Sequence, residues 1–243
     1  MAWLENNTTS GYYDLYIGAT EIIKGQNMQY FFYDMMYVDS IDFTNLDTSE
    51  VTNMRCMFYN TGYISTIFTL NLGNNFDTSN VTDMSYMFLE TGYSSEIFTL
   101  DLGDKFDTSN VTNMFYMLCA GHNSKVYTLD LGNKFDTSNV TNMVGMFAFA
   151  GNSNASFTLD FGNKFDTYNV TDMSDMFYSI GTANNNFELN LTTFTFDNVT
   201  SFEYMLNGFK STRKIYVKNE SDKAWLVSKG FANVTNNNVI VAS

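Results

Sequence analysis

A nine-residue sequence motif, called the phrase below, recurs along the chain at a nearly constant interval, and this recurrence restricts the fold more than any other feature. The valines of successive copies stand 30, 30, 29, 30 and 29 residues apart. A regular period of about 20–50 residues is typical of solenoids, propellers and other repeat architectures. The copies are FDTSNVTNM at 106–114, FDTSNVTDM at 76–84, FDTSNVTNM at 135–143 and FDTYNVTDM at 165–173, with looser versions at 46–54 and 196–202.

Each repeat unit combines a segment with helical spacing and a segment with strand alternation. Apolar residues spaced by three and four in VTDMSYMF (81–88) predict one face of a short helix, with Thr82 as its N-terminal cap. Alternation in IFTLDLG (97–103) predicts a half-buried strand that ends at a glycine turn. Corresponding strands are predicted at 67–72, 126–131, 156–161 and 187–191.

One strand and one short helix per unit, always in the same order, make every strand parallel to the one before it. We therefore predict an α/β fold: a right-handed solenoid with one parallel β-sheet on one face and short helices on the other. A propeller is the alternative architecture, but its blades need about four strands per unit. Because terminal units would expose apolar faces, we expect one domain over 1–243, with an N-terminal cap at 1–27, about seven repeats at 28–208 and a C-terminal cap at 209–243.

Composition and charge exclude several classes of partner. Apolar residues make up 44% of the chain, enough to bury a core, and the formal net charge is −14. This charge repels the phosphates of nucleic acids and of anionic membrane surfaces. No apolar run approaches the roughly 18–20 residues of a membrane helix, and the opening MAWLENNTTSG has no signal-peptide pattern. Cys56 and Cys119 lie two repeats apart, which predicts free, buried thiols because a disulfide cannot span that distance.

The phrase followed by LDLG resembles the repeats of the BspA-like family of bacterial surface proteins, which are related to leucine-rich repeats. The segment YDLYIGATEIIKGQNMQYFFYDMMYVDSIDF resembles the first-repeat cap of that family, and KIYVKNESDKAWLVSKGF resembles its closing segment. The resemblance covers 12–243, with one departure: a longer segment after Met-Phe, such as LETGYSSE at 89–96. It implies a leucine-rich-repeat-like solenoid, an extracellular location on the bacterial cell surface and a role in adhesion or in binding host proteins, and it carries no catalytic residues.

The outward side of the predicted strands offers the first candidate binding surface. Carboxylates on neighbouring parallel strands lie about 5 Å apart, and like charges at that distance destabilise a sheet. Their presence in a row therefore favours a basic partner or a cation, while a solvated sheet face is the structural alternative. The candidate residues are Thr99, Asp101, Thr128, Asp130, Thr158 and Asp160.

The loops and turns offer the second candidate surface, because repeats that share a core should differ where they meet partners. Phe115, Val144 and Phe149 are apolar at positions that are polar in other repeats, and exposed they would form a contact patch. Tyr63 and Tyr93 are aromatic residues in adjacent loops, which is also a usual contact type. The alternative is that these rings fold back onto the core.

The aspartates of the phrase admit two interpretations. Six acids in register could form a calcium ladder, but the Thr and Ser that follow favour turns in which each carboxylate accepts a backbone N–H. We therefore predict no resident cofactor or metal, with calcium as the alternative that the acidic rows leave open. The in-phase Asn-x-Ser/Thr sequons are interpreted as part of the same turns. The six acids are Asp47, Asp77, Asp107, Asp136, Asp166 and Asp197.

Signals for catalysis are weak. The single histidine, His122, lies in the loop AGHNSK and is predicted to be exposed, with no triad or zinc site around it. The sequence therefore predicts a non-catalytic binding module that recognises a host extracellular or bacterial surface protein through its sheet face and loop edge. The alternative is a structural stalk or spacer, stabilised by cations.

Overall fold

The computed structural model describes residues 2–6, 13–17, 23–43, 46–73 and 76–242, and in these ranges the chain forms a parallel β-solenoid of about six turns. Seven equivalent positions are joined in succession by parallel bridges, and they define coils 1 to 7. The predicted repeat stacking is thus confirmed. Much of the predicted N-terminal cap lies outside the described residues. The seven positions are Asn27, Asn53, Asp83, Asn113, Asn142, Asp172 and Ser201.

Within the described ranges the strands form three sheets. The six-stranded sheet has the order β1-β2-β4-β6-β7-β8, the three-stranded sheet has the order β11-β10-β9, and β3 pairs with β5. All pairs are parallel except the antiparallel pair of β1 and β2. The strands are β1 (Ala2–Asn6), β2 (Tyr13–Ile17), β3 (Ile23–Lys24), β4 (Val38–Asp42), β5 (Leu46–Asp47), β6 (Ile67–Asn71), β7 (Ile97–Asp101), β8 (Val126–Asp130), β9 (Leu189–Leu191), β10 (Ile215–Val217) and β11 (Val239–Val241).

Identical residue types lie directly above one another inside the coil. Phe58 stacks on Phe88 with ring centroids 5.4 Å apart and ring planes 2° from parallel. Phe68 stacks on Phe98 at 5.5 Å in the sheet layer. The same register places one methionine per coil in a fully buried column, so that each coil completes the packing of its neighbours. This column contains Met54, Met84, Met114, Met143 and Met173.

The prediction of short helices opposite the sheet is wrong in the described part of the repeats. In coil 3 the N–H groups of Met84, Tyr86 and Phe88 donate to carbonyls of coil 4, whereas Met87 N–H donates to Met84 O in a tight turn. Successive turns place buried residues three apart, as a helix does, and this explains why the apolar spacing was misleading. Thr82 caps no helix, because its hydroxyl donates to Thr52 O of the preceding coil at 3.3 Å.

The threonine of the phrase joins consecutive coils through a buried hydroxyl. Thr108 Oγ1 donates to Asp136 O at 2.7 Å and accepts from Asp136 N at 2.7 Å, so that one side chain satisfies both backbone groups of a residue in the next coil. Thr108 is fully buried. The same two bonds recur from Thr78 to Asp107, from Thr137 to Asp166 and from Thr167 to Thr195.

The strand predicted at 156–161 is not formed, and 157–160 lie in no strand between β8 and β9. Asn154 donates through Nδ2 to Tyr127 O, and Asn184 donates in the same way to Phe157 O. By continuity with the ladder between β7 and β8, these carbonyls would accept backbone N–H groups of the next coil. In coils 3 and 4 the equivalent residue is a serine, and its hydroxyl donates to a glycine carbonyl outside the strand. Where asparagine stands in place of this serine, its side chain therefore occupies a strand carbonyl and interrupts the ladder.

The C-terminal region contains the one helix among the described residues, α1 (Glu220–Ser228). Its N-cap is Asn219, whose side chain accepts from Asp222 N. The buried Arg213 donates to the carbonyls of Gly181 and Thr182 at 2.8 and 2.9 Å, which ties this region to coil 6. No helix in the described ranges is long and apolar enough to cross a membrane.

We expect Thr108→Val to destabilise the protein by about 1–3 kcal/mol, because it leaves the backbone N–H and carbonyl of Asp136 buried without their partner. The exposed Thr112 of the same coil supplies the control, and Thr112→Val should change stability by no more than about 0.5 kcal/mol. Urea unfolding followed by circular dichroism measures both midpoints. Equal midpoints for the two variants would contradict the bridging role.

We expect the double variant Asn154→Ser/Asn184→Ser to extend the parallel ladder through 157–160, because the carbonyls of Tyr127 and Phe157 become free to accept backbone N–H groups. Hydrogen exchange read by mass spectrometry should show slower exchange of the amides at 157–160. The control Asn152→Ser changes a neighbouring side chain that donates to neither carbonyl. Unchanged exchange in the double variant would show that the gap has another cause.

Candidate functional site

The residues predicted on the sheet face lie in rows, as expected for β6, β7 and β8. Thr69, Thr99 and Thr128 are register partners, and so are Asn71, Asp101 and Asp130. Thr99 and Asp101 are half-buried, whereas Thr128 and Asp130 are exposed. Thr158 and Asp160 are also exposed, but they belong to the interrupted segment and extend neither row by strand pairing.

The strand acids have a local structural task. Asp101 Oδ1 accepts from Gly103 N at 2.9 Å, and Asp130 and Asp160 accept in the same way from Gly132 and Gly162. Asn71 makes the same bond to Gly73, so the turn needs a side-chain oxygen and no negative charge. Among the described residues, no three His, Cys, Asp or Glu side chains converge on a position that could hold a metal ion.

Five of the six acids of the phrase accept turn hydrogen bonds, which confirms the structural interpretation for these five. Asp107 Oδ1 accepts from Ser109 N at 3.0 Å, and the bond recurs from Asp47, Asp77, Asp136 and Asp166. The asparagines of the sequons donate to backbone carbonyls of the preceding coil, as Asn110 does to Ser79 O at 2.7 Å. The polar residues of the phrase thus serve stacking, and a binding site has to be sought where the coils differ.

On the side opposite the sheet, two columns of residues have left-handed backbone conformations. The first column passes through Tyr86, with φ of 59°, and Tyr116, with φ of 50°. In coil 5 this column contains Gly145, and the Tyr116 ring packs directly against it. A Cβ at position 145 would lie 2.4 Å from that ring, so only glycine leaves room for the Tyr116 side chain. The second column contains Asp34, Asn60, Glu90, Phe149 and Ser179, with φ between 54° and 63°.

Coil 4 lacks a residue in the second column. Three residues separate Phe88 from Gly92 in coil 3, but only two separate Leu118 from Gly121 in coil 4. Glu90 N donates to Cys119 O and Gly121 N donates to Thr91 O, so the two coils are back in register beyond the missing residue. The shortening corresponds to the interval of 29 residues between Val111 and Val140.

A groove of about 420 Å³ lies where the residue is missing, between coils 3 and 5. We call it the aromatic groove. Its volume falls in the range of about 300–1,000 Å³ that is typical of ligand sites. It is lined by Tyr86, Leu89, Glu90, Tyr93, Phe115, Tyr116, Cys119, His122 and Phe149.

Rings follow one another along the edge of the groove. Tyr63 stacks on Tyr93 at 4.6 Å, Tyr93 meets His122 edge to face at 4.9 Å, and His122 stacks on Phe149 at 4.4 Å. His122 is therefore half-buried between rings, which corrects the prediction of an exposed loop residue. These ring–ring contacts order the side chains along the edge of the groove.

Burial decides the electrostatics of the groove. It raises the pKa of Glu90 and lowers the pKa of His122, so each pKa moves toward the neutral form. It also raises the pKa of Cys119, as does the charge of Glu90, and this thiol is inert as a nucleophile. Burial and the nearby charge of Asp175 raise the pKa of Tyr116 to about 12, and the Tyr116 hydroxyl lies 3.3 Å from Asp175 Oδ2.

The structure brings together three of the five residues predicted on the loop edge. Tyr93, Phe115 and Phe149 line the groove, Tyr63 continues its ring series, and Val144 is half-buried beside it without lining it. All five are half-buried. They therefore match neither of the two alternatives from the sequence, an exposed patch or rings folded back onto the core. Tyr86, Glu90 and Tyr116 were missed, although the shortened interval marks their position. Cys56 and Cys119 are buried free thiols, as predicted.

Comparison with known proteins gives one family. The model of the family described as "Mycoplasma protein of unknown function, DUF285" matches residues 26–131 and 104–222, most of the chain. No curated protein and no solved structure matches the chain.

We expect Glu90→Gln to raise the melting temperature at pH 7, because the charged carboxylate is disfavoured where it is partly buried. Since the pKa of Glu90 is raised on folding, the folded state binds the proton more tightly, and wild-type stability falls as pH rises through that raised pKa. The gain should therefore disappear at acidic pH, below the ordinary pKa of a glutamate. The control Glu50→Gln removes an exposed charge and should show neither effect. Thermal melts between about pH 3, which lies below the ordinary glutamate pKa, and about pH 8, which lies well above it, measure the difference in melting temperature.

Proposed function

Because this chain belongs to the Mycoplasma protein family of unknown function DUF285, we propose that it is a non-catalytic binding module of a bacterial cell-surface protein. The family match is consistent with the resemblance to BspA-like surface repeats. The partner is a host extracellular protein or a bacterial surface protein, which the module contacts through its turn side.

One observation carries this proposal: in an array that repeats almost without change, the aromatic groove is formed where a coil departs from the pattern. Phe149 occupies a left-handed backbone position, with φ of 59°, which is costly for a bulky residue. Tyr93 and His122 fill loop positions that are Asn152 and Thr182 in later coils. Half-buried aromatic rings gathered around an irregularity in an otherwise regular scaffold are typical of contact sites.

The regular part of the array supports this role by giving the groove a rigid base. Hydrogen bonds between coils run through backbone and buried hydroxyls on both sides of coil 4. A preformed surface loses little conformational entropy on binding, so modest contacts can add to a useful affinity.

We propose the finer features of the architecture on general grounds. A parallel crossover is right-handed in nearly all proteins, so we expect a right-handed coil related to leucine-rich repeats. We also propose one domain over 1–243 with caps at 1–27 and 209–243, because terminal coils would otherwise expose their apolar interior. We also propose an extracellular location, which the surface-type repeats of the family support.

A stalk or spacer is the second candidate function. It is favoured by the observation that the repeated threonines of the phrase form hydrogen bonds between coils, in one coil after another. A spacer needs only such stacking, and it would show no specific partner.

Binding should be measured by biolayer interferometry against a panel of extracellular-matrix proteins and intact bacterial surfaces. We expect Tyr93→Asn/Phe149→Asn to weaken binding at least about tenfold, as loss of aromatic contacts at an interface centre does. Asparagine occupies the equivalent positions in other coils, Asn152 in place of Tyr93 and Asn60 in place of Phe149, so the fold should tolerate it.

The matched control replaces the sheet-face acids: Asp101→Asn, Asp130→Asn and Asp160→Asn together. Asparagine keeps the turn acceptor, as Asn71 shows, so this triple variant should fold and bind normally. Loss of binding in the triple variant alone would move the site to the sheet face. Silence of the wild-type protein against the whole panel would favour the spacer.

A further inference from the structure

Glu90 is a half-buried carboxylate without a compensating partner. Among the described residues no Lys, Arg or His side chain lies within ion-pair distance of it, and no hydrogen bond reaches its side chain. Other acids have cations nearby, such as Asp107 with Lys134 at 3.9 Å and Glu188 with Lys214 at 3.7 Å. A partly buried charge is costly unless it is paired, so its position in a groove indicates a partner that comes from outside.

The missing residue of coil 4 explains why Glu90 stays unpaired. Within the second left-handed column, Asn60 donates through Nδ2 to Asp34 Oδ1 at 2.8 Å, so these two side chains pair across neighbouring coils. On the other side of Glu90 the column is interrupted, and the next side chain is Phe149 of coil 5. The gap in the column therefore lies between the Glu90 carboxylate on one side and the Phe149 ring on the other.

The walls of the groove favour a cation. Tyr93, Phe115, Tyr116 and Phe149 present aromatic rings, and ring faces attract a guanidinium or ammonium group within about 6 Å. His122 also lies in this wall, and burial lowers its pKa, which favours the neutral form. The lining residues thus combine aromatic rings with one carboxylate, and none of them is a lysine or an arginine.

The chain contains an internal example of the same recognition. Arg55 of coil 2 lies over the Tyr86 ring, 5.0 Å from its centroid, and donates through Nη1 to Ser85 Oγ at 3.2 Å. Tyr86 is also a residue of the aromatic groove. A guanidinium therefore already stacks on one ring of this cluster, at the boundary of the open site.

A second copy of this chain cannot supply the arginine. The sequence has two arginines, Arg55 and Arg213. Arg55 is engaged with Tyr86, and Arg213 is buried against backbone carbonyls. The net charge of −14 further disfavours association between copies and favours a basic partner.

We propose that the aromatic groove binds an arginine side chain from an exposed basic segment of the partner protein, with its guanidinium paired to Glu90 and stacked on the surrounding rings. The planar guanidinium suits this site better than the lysine ammonium, because it can pair with a carboxylate and stack on rings at once. This inference rests on the proposed binding function and specifies the chemistry that the partner must present.

The test uses two synthetic peptides on the full chain: acetyl-Gly-Arg-Gly-Arg-Gly-amide, and the same peptide with citrulline in place of arginine. Citrulline keeps the shape of arginine and lacks its charge. We expect the arginine peptide to shift the amide resonances of 86–93, 115–122 and 149 in two-dimensional NMR titrations. The citrulline peptide should bind at least about tenfold more weakly, the loss of a charge-assisted pair.

Two variants locate the interaction. Glu90→Gln should weaken arginine-peptide binding about tenfold or more, whereas Glu50→Gln, which changes the net charge equally at an exposed position, should not. Insertion of one serine between Cys119 and Ala120 restores the length of the neighbouring coils and should abolish binding by filling the groove. If the insertion variant does not fold, the comparison of Glu90→Gln with Glu50→Gln decides alone.

Equal binding of the two peptides, no binding at millimolar concentration, or full binding by Glu90→Gln would overturn the inference. The proposed function can survive that outcome. A protein partner whose binding is lost in Tyr93→Asn/Phe149→Asn but unaffected by Glu90→Gln and by excess arginine peptide would keep the binding module and reject arginine as its ligand.

Discussion

Hydrogen bonding from each coil to the next is the constraint on which the rest of this structure depends. Because the coils are joined group by group, as from Thr108 to Asp136, residues with the same place in the repeat lie directly above one another. Side chains must then stack with copies of themselves, which suits the flat rings of Phe58 and Phe88 and the methionine column. The same constraint explains why the repeated acids and amides form hydrogen bonds to backbone groups of their own turn or of the preceding coil.

An array held together in this way makes small departures visible. Loss of one residue in coil 4 leaves the hydrogen-bonded register intact on both sides, so the deficit appears locally as the aromatic groove. Exchange of serine for asparagine at 154 and 184 has a comparable local effect, since two side chains take carbonyls that the strand ladder would use. In a globular core, neighbours would repack around such changes; in a solenoid each coil contacts only the next, and the irregularity persists.

The groove contains two features that do not stabilise the fold. Glu90 stays unpaired at a partly buried position, and Phe149 adopts a left-handed backbone, and neither feature helps folding. The stacked coils on either side provide enough stability to maintain both. Such a scaffold suits the contact site that we propose.

The sequence alone determined the parallel coil, the one-per-coil buried methionine, the free thiols and the turn role of Asp107 and its equivalents, because an in-phase repeat permits only in-register stacking. It also brought Tyr93, Phe115 and Phe149 forward as candidates, since they vary where the core does not. It failed on the segment beginning at Val81, because turns bonded to the next coil and a helix share a spacing of three between buried residues. Only the tertiary structure decided where the groove opens and that Glu90 faces it unpaired, because a missing residue acquires a position in space only when the coils above and below it are stacked.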